Sequence, residues 1–191
     1  MIQTERLRLH ELADRHRDPF AKMHSEPEVM DDLGGPIDRA EADAKFDRYL
    51  AALATHGIAR WAVEDMTGVF FGYCGVMPRS IPNHPLGFHF EVGWRFRRAA
   101  WGNGYAYESA KAALVHAQND LSLKSIVSYT AEDNLRSQSV MRKLGLIRDT
   151  SQDFTLSGSP KAWRGLVWVV PAKLSLSLND GLGPTVAKLL R

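Results

Sequence analysis

The sequence predicts an α/β fold (α+β with a mixed sheet), and two features support this prediction. Runs that alternate apolar and polar residues, typical of half-buried strands, are separated by segments in which apolar residues recur at helical spacing. The predicted order of elements is β-α-α-β-β-β-α-β-α-β-β, which suits helices packed on one sheet. The chain has 191 residues, 45% of them hydrophobic and 24% charged, and is long enough to bury the core of a single domain.

The first five predicted elements are a strand, two helices and two strands. Leu7 and Leu9 alternate with polar residues in the first strand, and Asp38 is placed to cap the second helix. Pro27 and the Gly-Gly-Pro sequence at residues 34–36 indicate a loop between the helices. The predicted ranges are residues 4–11, 14–25, 38–57 with its caps, 59–64 and 69–77.

The second half of the chain is predicted to alternate strands and helices before two closing strands. A loop with three prolines, residues 78–85, precedes an aromatic strand, and Gly145 is placed to end the last helix. Pro171 breaks the final strand, so we predict one domain at residues 1–172 and a C-terminal tail at residues 173–191. The predicted ranges are residues 86–96, 106–121, 124–130, 134–144, 146–154 and 162–170.

Charge and composition exclude several classes of protein. The net charge of +2 gives no reason to expect a nucleic-acid or membrane partner. No segment has the apolar length of a signal or a membrane span, so a cytoplasmic protein is expected. The single cysteine, Cys74, allows no internal disulfide and lies in an apolar run, where a buried, unreactive thiol is expected. His84 and His89 do not have metal-ligand spacing with a carboxylate pair, so no metal is predicted. A homodimer is compatible with the sequence, which does not define the oligomeric state.

The junction between the aromatic strand and the following helix carries two glycines, Gly102 and Gly104. Glycines at such a junction let backbone N–H groups turn toward a ligand, and the start of the helix adds unpaired N–H groups and its positive dipole end. This combination is typical of a site for a phosphate or pyrophosphate group. Alone it is weak evidence, because any tight turn into a helix can contain two glycines.

Two sequence blocks resemble the GNAT superfamily of acetyl-CoA-dependent N-acetyltransferases. The first is EVGWRFRRAAWGNGYA at residues 91–106, and the second is NLRSQSVMRKLGL at residues 134–146. Together with WRGLVW at residues 163–168, they are similar to the RimJ/RimL-like branch, which acetylates the N-termini of ribosomal proteins. The resemblance implies a GNAT-like acyl-CoA N-acyltransferase fold.

The resemblance also implies acetyl-CoA as the acetyl donor and a set of residues that bind it. In the family, the end of the aromatic strand pairs with the pantetheine arm, and the glycine turn and first helical residues bind the pyrophosphate. Asn134 corresponds to an asparagine that contacts the donor near the thioester, but it could equally be only a helix cap. The implied donor-binding residues are Trp94, Arg95, Phe96, Gly102, Asn103, Gly104, Tyr105, Ala106, Tyr107, Asn134 and Ser137.

Two residues are candidates for the chemistry. Met141 occupies the position where many GNAT enzymes have a tyrosine general acid, which leaves Ser137 as the candidate to contact the leaving sulfur. Glu91 shares a strand face with His89 and is the candidate base, opposite Phe88, Phe90, Val92 and Trp94 on the core face. A structural pairing of Glu91 with an arginine on a neighbouring strand is an equal alternative. A glutamate with a pKa of ~4.3 is a poor base for deprotonating a lysine amine, whose pKa is ~10.4. An α-amine, with a pKa of ~7.7–8.0, needs less help and is the more suitable acceptor. By the resemblance, a backbone N–H near Phe96 stabilises the oxyanion.

The acetyl acceptor is expected to be an amine, either a peptide N-terminus or a small molecule. By the resemblance, residues 30–38 and 78–85 form much of its wall, where Glu28, Asp31 and Asp32 could attract a basic acceptor or could simply be solvated. Two alternatives to an enzyme remain. One is a non-catalytic coenzyme A-binding module, supported only by Met141. The other is a nucleotide-binding α/β domain, which would need a third glycine and a glycine turn after the first strand.

Overall fold

A computed structural model describes residues 1–156 and 162–172, which form five α-helices and nine strands. The predicted tail at residues 173–191 lies outside the described residues. The helices are α1 (Arg17–His24), α2 (Pro27–Met30), α3 (Arg39–His56), α4 (Tyr105–Asn119) and α5 (Leu135–Lys143). The strands are β1 (Ile2–Gln3), β2 (Leu7–His10), β3 (Trp61–Asp65), β4 (Phe70–Arg79), β5 (His89–Phe96), β6 (Ile126–Ala131), β7 (Ile147–Arg148), β8 (Phe154–Leu156) and β9 (Trp163–Val169).

All nine strands belong to one mixed sheet, which confirms the predicted fold class. The order is β1-β2-β3-β4-β5-β6-β9-β7, and β8 also pairs with β9. Only β5 and β6 are parallel, and every other pair is antiparallel. The chain between β5 and β6 contains α4, the long connection that parallel neighbours require.

Helices cover both faces of the sheet, and neighbouring residues of β4 show this division. Cys74 and Val76 pack in the core that contains α4, whereas Tyr73 and Met77 pack in the core that contains α1 and α3. Because successive side chains of a strand point to opposite faces, one strand contributes to two cores. The buried Cys74 matches its prediction, and burial raises the pKa of its thiol to about 11.

The predicted helix ends are confirmed by their capping bonds. Asp38 accepts from the N–H of Glu41 at 2.8 Å, and the Glu41 carboxylate accepts from the Asp38 N–H at 3.1 Å, which forms a capping box at the start of α3. Gly57 ends that helix in the left-handed region, with φ at +70°. Gly145 follows α5 with φ at +74°.

Two predicted loops contain regular structure. Pro27 does not interrupt the chain but begins α2, because proline fits the first position of a helix. Pro78 and Arg79 belong to β4 rather than to the loop at residues 78–85. The β3–β4 pairing stops at Trp61↔Cys74, so Pro78 has no neighbour in β3 and its missing N–H costs the sheet no ladder bond.

Two predicted strands are shorter than expected. Residues 86–88 precede β5, because Gly87 turns with φ at +60° and donates to His84 O, and the Phe88 side chain is 60% exposed rather than in the core. The segment 146–154 is divided by a 3-10 turn, Thr150–Gln152. Asp149 initiates this turn by accepting from the N–H of Ser151 at 3.1 Å.

Within residues 1–156 and 162–172, none of the helices combines the length and hydropathy needed to cross a bilayer.

Candidate functional site

The candidate site lies where β5 and β6 separate. The two strands pair only at Phe90↔Ile126 and Glu91↔Val127, although β5 continues to Phe96 and β6 to Ala131. Beyond Glu91, the edge of β5 that would face β6 is therefore open in the described structure. An open strand edge can pair with an extended chain of amides.

The bonding between β4 and β5 decides which backbone groups face this gap. The Arg97 N–H donates to Phe71 O, and the register from Gly72↔Phe96 to Arg79↔His89 is unbroken. In an antiparallel pair, every second residue directs both its N–H and its C=O toward the partner strand. Counting back from Arg97, the N–H and C=O of Arg95 therefore point toward β4, and those of Trp94 and Phe96 point toward the gap. The Phe96 C=O accepts from the Trp101 indole at 2.8 Å, which leaves the Phe96 N–H and both groups of Trp94 for a ligand.

The glycine turn places the first turn of α4 at the same gap. Gly104 is the N-cap, with φ at +80° and no side-chain cap, and the first helical bond runs from the Glu108 N–H to its carbonyl. The N–H groups of Tyr105, Ala106 and Tyr107 precede that bond and have no acceptor within the helix. They face a cavity of about 550 Å³ that also contains Trp94 and Phe96.

This first cavity brings together ten of the eleven implied donor-binding residues. Asn103 is the exception, because its side chain turns back to donate to the Trp101 carbonyl at 3.0 Å. From α5, Arg136 stacks over the Trp101 ring with its guanidinium carbon 4.0 Å from the ring centroid. The implied residues that line the cavity are Trp94, Arg95, Phe96, Gly102, Gly104, Tyr105, Ala106, Tyr107, Asn134 and Ser137.

Asn134 is the N-cap of α5, the role that the sequence offered as the alternative to a contact with the donor. Its Oδ1 accepts from the Ser137 N–H at 3.0 Å, and its Nδ2 donates to Asp32 at 2.9 Å. Asp32 in turn binds the Arg95 guanidinium through two bonds of 2.8 and 3.1 Å. The Arg95 side chain thus ties β5 to the segment after α2.

A second cavity, of about 400 Å³, adjoins the first and shares Asp32, Trp94, Arg95 and Ser137 with it. Ser137 therefore lies between the two cavities. Met141, one turn further along α5, is buried and lines only the second cavity. A thioether has no proton to donate, so Met141 cannot act as an acid there.

Glu91 lines the second cavity and is surrounded by donors. Arg60 Nη2 lies 3.0 Å from one carboxylate oxygen, and Arg79 Nε lies 3.1 Å from the other. The Tyr129 hydroxyl donates to the second oxygen at 3.3 Å, and burial together with the Glu91 charge raises the pKa of this tyrosine. The predicted pairing with a neighbouring arginine is present, and the carboxylate still reaches the cavity.

Two buried tyrosines form another part of the second cavity. The ring centroids of Tyr49 and Tyr73 are 5.4 Å apart, and the two rings meet edge to face. Burial opposes ionisation of Tyr73, but surrounding charges, chiefly those of Lys45 and Arg95, outweigh it and lower the Tyr73 pKa. The cations around this cavity therefore favour the ionised form of the Tyr73 hydroxyl.

His84 and His89, which were not predicted to bind a metal, lie close together. The rings of His84 and His89 lie 4.9 Å apart, and the described residues contain no group of three His, Cys, Asp or Glu side chains suited to a metal ion.

Several residues of the site were not predicted. Arg60 reaches Glu91 from the segment before β3, and Arg79 reaches it from β4. Lys45 and Arg48 reach the second cavity from α3. Nothing in their local sequence marks them. Their role depends on strand pairing and helix docking, which bring together residues far apart in the chain.

The chain matches known acetyltransferases over most of its length. Residues 6–147 match the profile described as an acetyltransferase (GNAT) domain. The uncharacterized protein YkkB of Bacillus subtilis is 31% identical over 147 residues, which cover 76% of this chain and 84% of YkkB. The FsC-acetyl coenzyme A-N(2)-transacetylase of Aspergillus fumigatus is 32% identical over 152 residues, or 76% of this chain and 64% of that enzyme.

Solved structures show the same fold. The crystal structure of an acetyltransferase from Agrobacterium tumefaciens superposes with a TM-score of 0.73 at 26% identity, covering 88% of this chain and 92% of that one. RimL, a ribosomal L7/L12 alpha-N-protein acetyltransferase solved in complex with coenzyme A, superposes with a TM-score of 0.66 at 13% identity, covering 86% of this chain and 93% of RimL.

Proposed function

Since the chain belongs to the GNAT acetyltransferase family, we propose that it transfers the acetyl group of acetyl-CoA to a primary amine, either a peptide N-terminus or a small molecule. The observation that carries this proposal is the gap between β5 and β6, which opens a strand edge and a helix N-terminus into one cavity. A flexible amide chain that ends in phosphates has the complementary chemistry. Its amides suit the strand edge, and its charge suits the N-terminus of α4.

The donor is proposed to lie along the first cavity with its thioester near Ser137. The N–H and C=O of Trp94 and the N–H of Phe96 would bond the pantetheine amides, because these groups point into the gap. The N–H groups from Gly102 to Tyr107 would bind the pyrophosphate, and Arg136 and Lys143 of α5 add positive charge along the same wall. Arg95 contributes through its bond to Asp32 rather than through its backbone.

The proposed reaction is direct attack of a neutral amine on the thioester carbonyl. The nitrogen–carbon bond forms as the carbon–sulfur bond breaks, the amine loses one proton and the leaving thiolate gains one. Glu91 is the proposed acceptor of the amine proton, directly or through water. A backbone N–H of β5, at Trp94 or Phe96, is the proposed oxyanion donor. Ser137 is proposed to donate to the leaving sulfur, because Met141 cannot.

The RimJ/RimL-like branch is one proposed placement within the family. It is supported by the residue blocks around the glycine turn and α5, and it favours an α-amine as the acceptor. Family membership removes the basis for the nucleotide-binding alternative, whose glycine turn would follow the first strand rather than β5. The alternative of a coenzyme A-binding module without catalysis rests only on Met141, and Ser137 offers another donor.

Donor binding is expected to fail when a side chain is added at Gly104. The substitution Gly104→Glu places a carboxylate at the N-terminus of α4 and strains a backbone with φ at +80°, so it should abolish the thermal shift caused by acetyl-CoA. The matched control is Gly68→Glu in the turn between β3 and β4, which has φ at +91° and adds the same charge at a residue that lines neither cavity. We expect the control to keep the shift. Equal shifts in both variants would refute the proposed donor site.

Removing the Ser137 hydroxyl is expected to slow turnover without weakening donor binding. Ser137→Ala keeps the bond from the Ser137 N–H to Asn134, so α5 stays capped. It removes one hydrogen bond to a developing thiolate, which we expect to lower kcat by about 10-fold. Steady-state rates at saturating acetyl-CoA, together with the coenzyme A dissociation constant by calorimetry, measure the two effects. A loss confined to binding would show that Ser137 positions the donor and does not assist the leaving group.

A further inference from the structure

The second cavity carries an unbalanced positive charge. Its described lining includes the basic residues Lys45, Arg48, Arg60, Arg79 and Arg95 and the acidic residues Asp32 and Glu91. Each carboxylate already has a basic partner. Asp32 binds Arg95 at 2.8 Å, and Glu91 is shared between Arg60 and Arg79. The excess charge is therefore not neutralised by the described wall itself.

Lys45 and Arg48 supply most of this excess. They lie three residues apart on α3, which places them on the same side of the helix, and both line the cavity. Neither forms a hydrogen bond or an ion pair within residues 1–156 and 162–172. Lys45 is only half-buried and Arg48 is exposed at the cavity's edge, so both can meet a ligand that enters from solvent.

The positive field also reaches the inner part of the cavity. Lys45 and Arg95 lower the pKa of the buried Tyr73 against the effect of its burial. Burial, with a smaller contribution from the charge of Lys45, lowers the pKa of His24 on α1, whose ring stacks on Tyr73. A cationic ligand would meet this field as repulsion, whereas an anionic group would be attracted by it.

We infer that the acetyl acceptor is an amine that also carries an oxyanion, a carboxylate or a phosphate-type group, bound by Lys45 and Arg48 while its amine faces Glu91. This inference rests on the proposed function, because it assigns the acceptor to the second cavity. It disfavours one of the two alternatives that the sequence left open, in which Glu28, Asp31 and Asp32 attract a basic acceptor. Asp32 is occupied by Arg95 and Asn134, and Glu28 lies 3.4 Å from Arg98.

The test compares acceptors that differ only in charge. Acetyl transfer would be measured as coenzyme A release with L-α-amino acids and ω-amino carboxylates of increasing length, each against its carboxamide. Aminoalkyl phosphonates and diamines of the same lengths complete the panel. We expect kcat/KM for the best oxyanion-bearing amine to exceed that of its uncharged counterpart by about 10- to 100-fold, the range of a charge-assisted hydrogen bond. The carboxylate and phosphonate arms distinguish the two kinds of oxyanion.

Variants connect this preference to the two side chains. Lys45→Gln combined with Arg48→Gln should reduce the preference to about twofold or less, through a loss with the charged acceptor and none with the carboxamide. Lys45→Glu combined with Arg48→Glu should favour the diamines. The matched control is Lys22→Gln, because Lys22 is an exposed lysine on α1 that lies outside both cavities, and it should leave the preference unchanged.

The outcomes separate this inference from the proposed function. Efficient acetylation of carboxamides or diamines, unaffected by the Lys45 and Arg48 variants, would overturn the inference and leave the acetyltransferase proposal standing. Binding of acetyl-CoA without acetylation of any amine in the panel, or of peptides with free N-termini, would overturn the proposed function and the inference with it. A preference for the oxyanion that survives in the double glutamine variant would also refute the assignment to Lys45 and Arg48.

Discussion

Replacing Glu91 by alanine is expected to lower the free energy of unfolding by about 3–5 kcal/mol, the usual cost of leaving a buried charge without its partner. Arg60 is 4% exposed and lies 3.0 Å from Glu91, while Arg79 is held at 3.1 Å on the other side. The buried Arg60 guanidinium would lose its counter-charge, which the little water that can reach it replaces only in part. Urea denaturation at neutral pH measures the change.

The control for this effect is an exposed ion pair. Glu132 lies 3.5 Å from Arg164, and both side chains are largely solvated, so Glu132→Ala should change stability by less than about 1 kcal/mol. A Glu91→Ala variant that is as stable as Glu132→Ala would mean that Arg60 finds another partner. That result would remove the structural role of Glu91.

A double variant separates the structural role of Glu91 from its proposed role as the base. Arg60→Met with Glu91→Leu replaces the buried pair by apolar side chains, which often restores most of the stability lost by breaking such a pair. If Glu91 accepts the amine proton, the stable double variant should still turn over at least about 100-fold more slowly than the wild type. Recovery of activity together with stability would assign Glu91 to structure alone.

The parts of this fold that sequence could predict are those set by local interactions. Asp38 and Glu41 form the capping box of α3, and Gly57 and Gly145 end helices at left-handed φ, all within one turn of the chain. The glycine turn before α4 is equally local. The errors have the same origin, because short-range rules made Pro27 and Pro78 loop residues. A helix start and an unpaired strand edge instead accommodate these prolines.

The parts that sequence could not predict depend on long-range pairing. From the sequence, Glu91 could equally be the base or a structural partner of an arginine. Only the pairing of β4 with β5 shows that it faces both Arg79 and the cavity. Lys45 and Arg48 resemble any solvated charges on a surface helix until α3 docks beside the second cavity. The charge of a pocket is a sum over elements distant in sequence, so the sequence could not show that the lining of the second cavity is mainly basic.

Acid is expected to destabilise the protein through His24, by about 2 kcal/mol between pH 7 and pH 5. His24 is fully buried against Phe20 and Tyr73, and burial, with Lys45 and Arg95 adding repulsion, lowers its pKa from 6.5 to about 3. Its Nδ1 contacts the Phe20 carbonyl at 2.8 Å, while Nε2 has no partner among the described residues. Because the folded pKa is the lower one, the unfolded chain binds more protons below pH 6.5, and stability falls as the pH drops toward 3.

The variant His24→Phe should remove this contribution, because phenylalanine keeps the stacking and cannot bind a proton. Unfolding free energies at pH 7 and pH 5 should then differ by about 2 kcal/mol less than in the wild type. Some acid sensitivity should remain, since the pKa values of His10, His16 and His84 are also lowered by burial. The control His56→Phe changes an exposed histidine at the end of α3 and should keep the full pH dependence. If His24→Phe loses as much stability in acid as the wild type does, His24 does not cause the acid sensitivity. The charge of Lys45, which also lines the second cavity, would then have little effect on His24.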